Sequence, residues 1–205
     1  MNYIQKSGNN VYLKPENLQR TGSFKIRGAY NKIASLTPEQ REKGLVTASA
    51  GNHAQGVAYS AKKLGVKATI VMPVQTPFIK VESTKSYGAE VVLHGSSYDD
   101  AYERAQEITL EKEGTFIHPF DDMEVIYGQG TIALEIIEEL KNVDAMLVPI
   151  GGGGLISGMA LAAKAVNPGI RIIGVEAEGA PTMTHSLKKR EVTALEQVNT
   201  IAEGT

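Results

Sequence analysis

Three short stretches of this chain combine glycine with small polar or basic residues, the composition that ligand binding and reacting groups require. The first is Gly151, Gly152, Gly153 and Gly154, directly after the apolar run MLVPI and directly before a helical pattern. Four residues without side chains let the backbone close on a ligand. Their N–H groups, with a helix N-terminus behind them, form an anion site. No Lys follows as in a P-loop, and the G-x-G-x-x-G test fails at Ile156 from Gly151 and at Ser157 from Gly152. A tightly packed turn needs only one or two glycines, so the run points to a single phosphate held by backbone.

The second stretch is TGSFKIRGA, residues 21–29. Ser23 is a helix N-cap by type, and Ile26, Ala29, Tyr30, Ile33 and Leu36 form the apolar stripe that follows. Lys25 falls in the first turn, where a cation opposes the helix dipole, and Arg27 adds like charge nearby. Both effects favour a neutral amine, as a nucleophilic or Schiff-base lysine requires. A solvated surface lysine is the plainer alternative. The third stretch, Ser49-Ala50-Gly51-Asn52-His53-Ala54-Gln55-Gly56, offers a hydroxyl, an amide and backbone donors at one helix start, a cradle for a small carboxylate. His53 taken singly is equally a hydrogen-bonded structural histidine. His94, His118 and His185 stand apart, without metal-ligand spacing.

All three stretches lie where a strand should hand over to a helix or a helix should begin. From about residue 44, strand patterns (GLVTASA, VKATIVMP, AEVVLHG, TFIHPF, DAMLVPI, IRIIGVEAE) alternate with helical ones. Gly65 and Gly88 stop two of those helices, and Pro77 sits at the first turn of another. Nearly all-apolar strands separated by helices predict a doubly wound α/β protein, its parallel sheet covered on both faces. Ligands bind such sheets at the carboxyl ends of the strands. Lobe boundaries are expected near Lys43 and between Pro119 and Glu124, without a linker.

Composition narrows the options. A chain of 205 residues holds one large domain or two small ones. Its 42% hydrophobic and 21% charged residues are ordinary for a globular protein. With 21 Lys+Arg against 23 Asp+Glu there is no basic excess for nucleic acid. Absence of Cys removes disulfides, Cys nucleophiles and Cys-based metal sites. The first residues, MNYIQKSGNNVYLK, lack a signal-peptide apolar run. The uncharged run from Ala145 to Ala163 is long enough for a membrane, but Pro149 and the four glycines interrupt it. A cytoplasmic protein without membrane or nucleic-acid partners is expected.

Taken together, VYLKPENLQRTGSFKIRGA (11–29), TASAGNHAQGVA (47–58), HPFDD and GQGT (118–131) and VPIGGGGLISG (149–158) resemble the fold-type II pyridoxal-phosphate enzymes. Within them the likeness is to the threonine/serine dehydratase group, which includes serine racemase. The resemblance implies a two-lobed α/β fold of the tryptophan synthase β type, with residues 44–120 as the small lobe. Residues 1–43 and 121–205 would belong to the larger, PLP-binding one. It implies pyridoxal 5'-phosphate as cofactor and Lys25 as the lysine that carries it and later moves the Cα proton. Asn52 would bond the pyridoxal 3′-oxygen; Gly151, Gly152, Gly153, Gly154 and Leu155 would hold the phosphate. Ser49, Gly51, Asn52 and His53 would receive the substrate carboxylate.

The implied reaction is β-elimination: L-threonine gives 2-oxobutanoate and ammonia, and L-serine gives pyruvate. Racemases of the group carry a second serine where this chain has Ala50, which has no proton to exchange, so elimination is expected over racemisation. No metal site is expected: Glu176 and the Ala180 carbonyl match the group's cation site, but Thr182 replaces its later acidic residue. A small amino-acid substrate and a homo-oligomer, dimer or tetramer, are implied as partners. Relatives begin with a further Thr-Pro stretch and run on past AEGT to a residue facing the pyridine nitrogen, so a shortened chain is expected. Alternatives are serine racemase or another β-replacing lyase, a dinucleotide-using α/β protein, and a non-catalytic fragment.

Overall fold

The computed structural model describes residues 8–195 and 197–202. Residues 1–7, in which the sequence shows no signal-peptide run, and 203–205 lie outside them. Past a short 3₁₀ turn at Glu16–Leu18, the elements run α1 (Lys25–Ser35), α2 (Pro38–Lys43), β1 (Leu45–Ala48), α3 (Asn52–Leu64), β2 (Ala68–Met72), α4 (Phe78–Ser86) and β3 (Glu90–Leu93). Then come α5 (Tyr98–Glu111), β4 (Thr115–Phe116), α6 (Met123–Glu139), β5 (Ala145–Pro149), α7 (Gly154–Val166), β6 (Arg171–Val175) and α8 (Thr182–Lys189). Every strand and helix predicted between residues 44 and 175 is present. TFIHPF yields only two strand residues. Helices α2 and α8 are additions; α2 begins on a Thr37–Gln40 capping box and a first-turn proline.

One sheet has the parallel order β3-β2-β1-β4, with Leu45 opposite Ala68 and Thr115. Its two middle strands are buried at every position, which explains their continuous apolar sequence. One face packs Val57 and Ala61 of α3 with Ala29 and Ile33 of α1. The other packs Ala101, Ala105 and Ile108 of α5. A second, two-stranded parallel sheet pairs β5 with β6. Here the expectation of cover on both faces does not hold. Ile132 and Ala133 of α6 and Met159 and Ala163 of α7 pack with Met146 and Val148, whereas Leu147, Ile173 and Val175 are 69%, 41% and 46% exposed. Among the described residues no second helical layer lies over them. No helix of the described residues is long and apolar enough to cross a membrane.

Glycine sets the distances between the helices that carry the site. A Cβ at Gly128 would lie 2.6 Å from the Arg27 carbonyl oxygen, so α6 and α1 touch backbone to backbone. A Cβ at Gly130 would lie 2.7 Å from the Gly158 carbonyl oxygen on α7. The buried amide of Gln129, between these glycines, accepts from Gly28 N–H at 3.2 Å. These crossings bring the start of α1 beside the start of α7. Arg27 locks the first: its guanidinium grips Glu16 (2.8 and 2.9 Å) and Glu135 (2.6 and 2.9 Å), and bonds Thr131 at 3.1 Å.

Candidate functional site

Lys25 is the first residue of α1, and its Nζ donates to the Pro119 carbonyl at 2.8 Å. Ser23 is not the N-cap. Phe24 holds that position in helical conformation, and Ser23 Oγ accepts from the Lys25 N–H at 3.4 Å. The Lys25 amine lies 5.4 Å from the Phe24 ring and is pushed down to about 8 by burial. Like charge from Arg27 is not the cause, because that guanidinium is paired with two carboxylates. Near pH 7 a pKa of about 8 leaves about one amine in ten uncharged, against roughly one in three thousand for an ordinary lysine. Labelling of Lys25 by a neutral acylating reagent should therefore rise about tenfold per pH unit up to about 8 and then level off. Site-resolved mass spectrometry across that range checks this; a rise continuing to pH 10 would refute it.

A cavity open to solvent is lined by Lys25, Pro119, Phe120, the four glycines 151–154 and Leu155. Lysine and glycine run, 126 or more positions apart in sequence, thus face one space. Gly153 is left-handed (φ 85°) and caps α7. A Cβ at Gly152 would strike the Phe120 ring, and one at Gly154 would lie 2.7 Å from the Phe120 carbonyl oxygen. Two of the four glycines therefore also admit a neighbouring aromatic residue. The first N–H groups of α7 have no intrahelical acceptor, which leaves the donor set a bound anion needs.

Ser49, Gly51, Asn52 and His53 are not among the residues lining this cavity. A Cβ at Gly56 would lie 3.0 Å from the Lys25 backbone carbon, so α3 passes directly beside the start of α1. Gly51 is the N-cap of α3, Asn52 is its exposed first residue, and Ser49 Oγ accepts from Gly51 N–H at 3.2 Å. The His53 imidazole turns inward. It is buried, with Nε2 3.0 Å from the Ile117 carbonyl oxygen, and desolvation aided by Lys25 pushes it down to about 3. It is a neutral structural histidine; only its backbone N–H stands at the helix start.

Glu176 does not serve as an open ligand. Both its oxygens accept from the start of α8: Met183 N–H at 2.7 Å, Thr184 N–H at 2.8 Å and Thr184 Oγ at 2.7 Å. Ala180 N–H bonds the Ala177 carbonyl in the preceding turn. Among the described residues no group of three His, Cys, Asp or Glu could hold a metal ion. Sequence reasoning did not foresee Pro119, Phe120 and Gln129 as parts of the site. Their segments, HPFDD and GQGT, carried the resemblance without an assigned task. Asp122, which caps α6 through Glu124 and Val125 N–H, is the local signal that the chain turns there.

Comparison with known proteins agrees with this geometry. The family model described as pyridoxal-phosphate dependent enzyme matches residues 2–205. The L-threonine ammonia-lyase of Thermotoga maritima is 52% identical over 198 residues, which are 97% of this chain and 49% of that protein. The catabolic L-threonine dehydratase of Staphylococcus aureus strain USA300 is 53% identical over 95% of this chain and 56% of its own. Among solved structures, the processed form of threonine deaminase isoform 2 from Solanum lycopersicum has a TM-score of 0.94 at 47% identity, over 98% of this chain and 55% of that one. Maize serine racemase has a TM-score of 0.95 at 43% identity, over 98% and 61%. The chain spans about half the length of the curated relatives it matches.

Proposed function

Because this chain belongs to the pyridoxal-phosphate dependent enzyme family, we propose that it serves the dehydration and deamination of L-threonine to 2-oxobutanoate and ammonia, with L-serine giving pyruvate. The observation that carries this reading is the meeting of a desolvated lysine amine and a glycine-lined helix start in one cavity. The residues fit the cofactor: an amine with a large neutral fraction suits its aldehyde, and side-chain-free backbone at the start of α7 suits its single phosphate. When bound, pyridoxal phosphate supplies the electron sink for charge left at Cα.

The chain's own residues do the rest. Lys25 Nζ would hold the cofactor, and as a free amine it would take the proton from Cα. Gly151, Gly152, Gly153, Gly154 and Leu155 would hold the phosphate, and Asn52 would bond the pyridoxal ring oxygen. The substrate carboxylate is received at the start of α3 by Ser49, Gly51, Asn52 and the backbone N–H of His53, where the helix dipole favours an anion. Ala50, between them, provides no proton on the opposite face of Cα, which favours elimination over racemisation.

Residues 44–120 as a small lobe, with 1–43 and 121–205 in a larger one, belong to the same proposal, as do a cytoplasmic location and a homo-oligomer. The test is product analysis on the chain supplied with pyridoxal phosphate. L-threonine should yield 2-oxobutanoate, and chiral chromatography of an L-serine reaction should show D-serine at under about a hundredth of the pyruvate. Comparable rates of D-serine and pyruvate formation would replace this reading with the racemase one, which the maize structure represents.

A further inference from the structure

The turn between β4 and α6 touches both halves of the cavity, and one side chain builds it. His118 Nδ1 accepts from Phe120 N–H at 3.3 Å and from Asp121 N–H at 2.8 Å. The half-buried ring stands edge-on to Phe120, with centroids 4.7 Å apart at 86°, and to Phe116 at 6.3 Å. Folded back in this way, the turn offers the Pro119 carbonyl to Lys25 Nζ and lays Phe120 over Gly152 and Gly154.

We propose that His118 is a positioning residue: as an acceptor at Nδ1 it sets the 118–121 turn, which places Lys25 and the glycine loop for the cofactor. The proposal rests on the cofactor reading above and deepens it. A surface histidine that merely packs between two aromatic rings would not need an acceptor at Nδ1. Here two backbone N–H groups depend on it, and only an unprotonated Nδ1 can accept. The groups facing the ring are Asp121 and Asp122, which favour its charged form, and Lys25, which opposes it; desolvation is the largest influence, and the net shift is downward. His53 faces it as well, and Asp122 is held by Lys32 at 2.7 Å. The accepting form therefore prevails at neutral pH.

Two substitutions separate acceptor from packing. Asparagine places its Oδ1 where the imidazole has Nδ1 and so keeps an acceptor; phenylalanine keeps the ring and loses it. In the full chain, His118→Phe should lower hydrogen-exchange protection of the Phe120 and Asp121 amides about tenfold, and raise the pyridoxal phosphate concentration for half-saturation by a similar factor. His118→Asn should stay within about threefold of wild type in both. Wild-type behaviour of His118→Phe, or equal losses in both variants, would overturn the proposal. If the unmodified chain took up no pyridoxal phosphate, the cofactor reading would fall, while amide protection would still decide whether His118 builds the turn.

Discussion

Lys25→Ala is expected to abolish covalent retention of pyridoxal phosphate and to lower 2-oxobutanoate formation by at least about a thousandfold. Among the described residues lining the cavity Lys25 is the only amine, so none of their side chains can substitute for it. The glycine loop should still hold the phosphate, so the variant should bind the cofactor loosely. Borohydride reduction followed by mass spectrometry distinguishes the two states: a fixed adduct on wild type, none on the variant. Lys25→Arg should not rescue, since a guanidinium stays charged at every accessible pH. Folding should survive the change, because what is removed is a desolvated amine with one backbone acceptor. An identical adduct and rate in Lys25→Ala would refute the role assigned to this residue.

Gly158→Ala is expected to destabilise the fold by about 2–3 kcal/mol, although alanine is the better helix former by about 1 kcal/mol. The new Cβ would strike the Ile126 carbonyl oxygen and lie 2.8 Å from Gly130 N, so its neighbours are backbone on α6. Backbone cannot rotate away as a long side chain can, and the two helices must part. Parting loosens the contacts of Ile132 and Ala133 with Met159 and Ala163. It also shifts the glycine loop, carried at the start of α7, away from Lys25. Urea titration measures the stability, and the pyridoxal phosphate concentration for half-saturation should rise as stability falls. A gain in stability would show that helix propensity outweighs the close crossing.

Much of this was legible in the chain itself. The order of strands and helices follows from apolar periodicity between near neighbours, and the ends at Gly65, Gly88 and Asp122 follow from local backbone chemistry. The glycine run after β5 and a lysine at the start of α1 are visible there too, as the residue types an anion site and a reactive amine would need. The tertiary structure decided what those residues meet. Arg27 reads from sequence as a like charge beside Lys25, but its partners Glu16 and Glu135 lie 11 and 108 positions away, and pairing takes it out of play. Lys25 is depressed by burial instead. His53 turns inward to the Ile117 carbonyl, Glu176 accepts from the first turn of α8, and Gly152 and Gly154 make room for Phe120. Propensity acts over a few residues and is written locally. Desolvation, long-range pairing and close backbone approach depend on parts of the chain that only folding brings together.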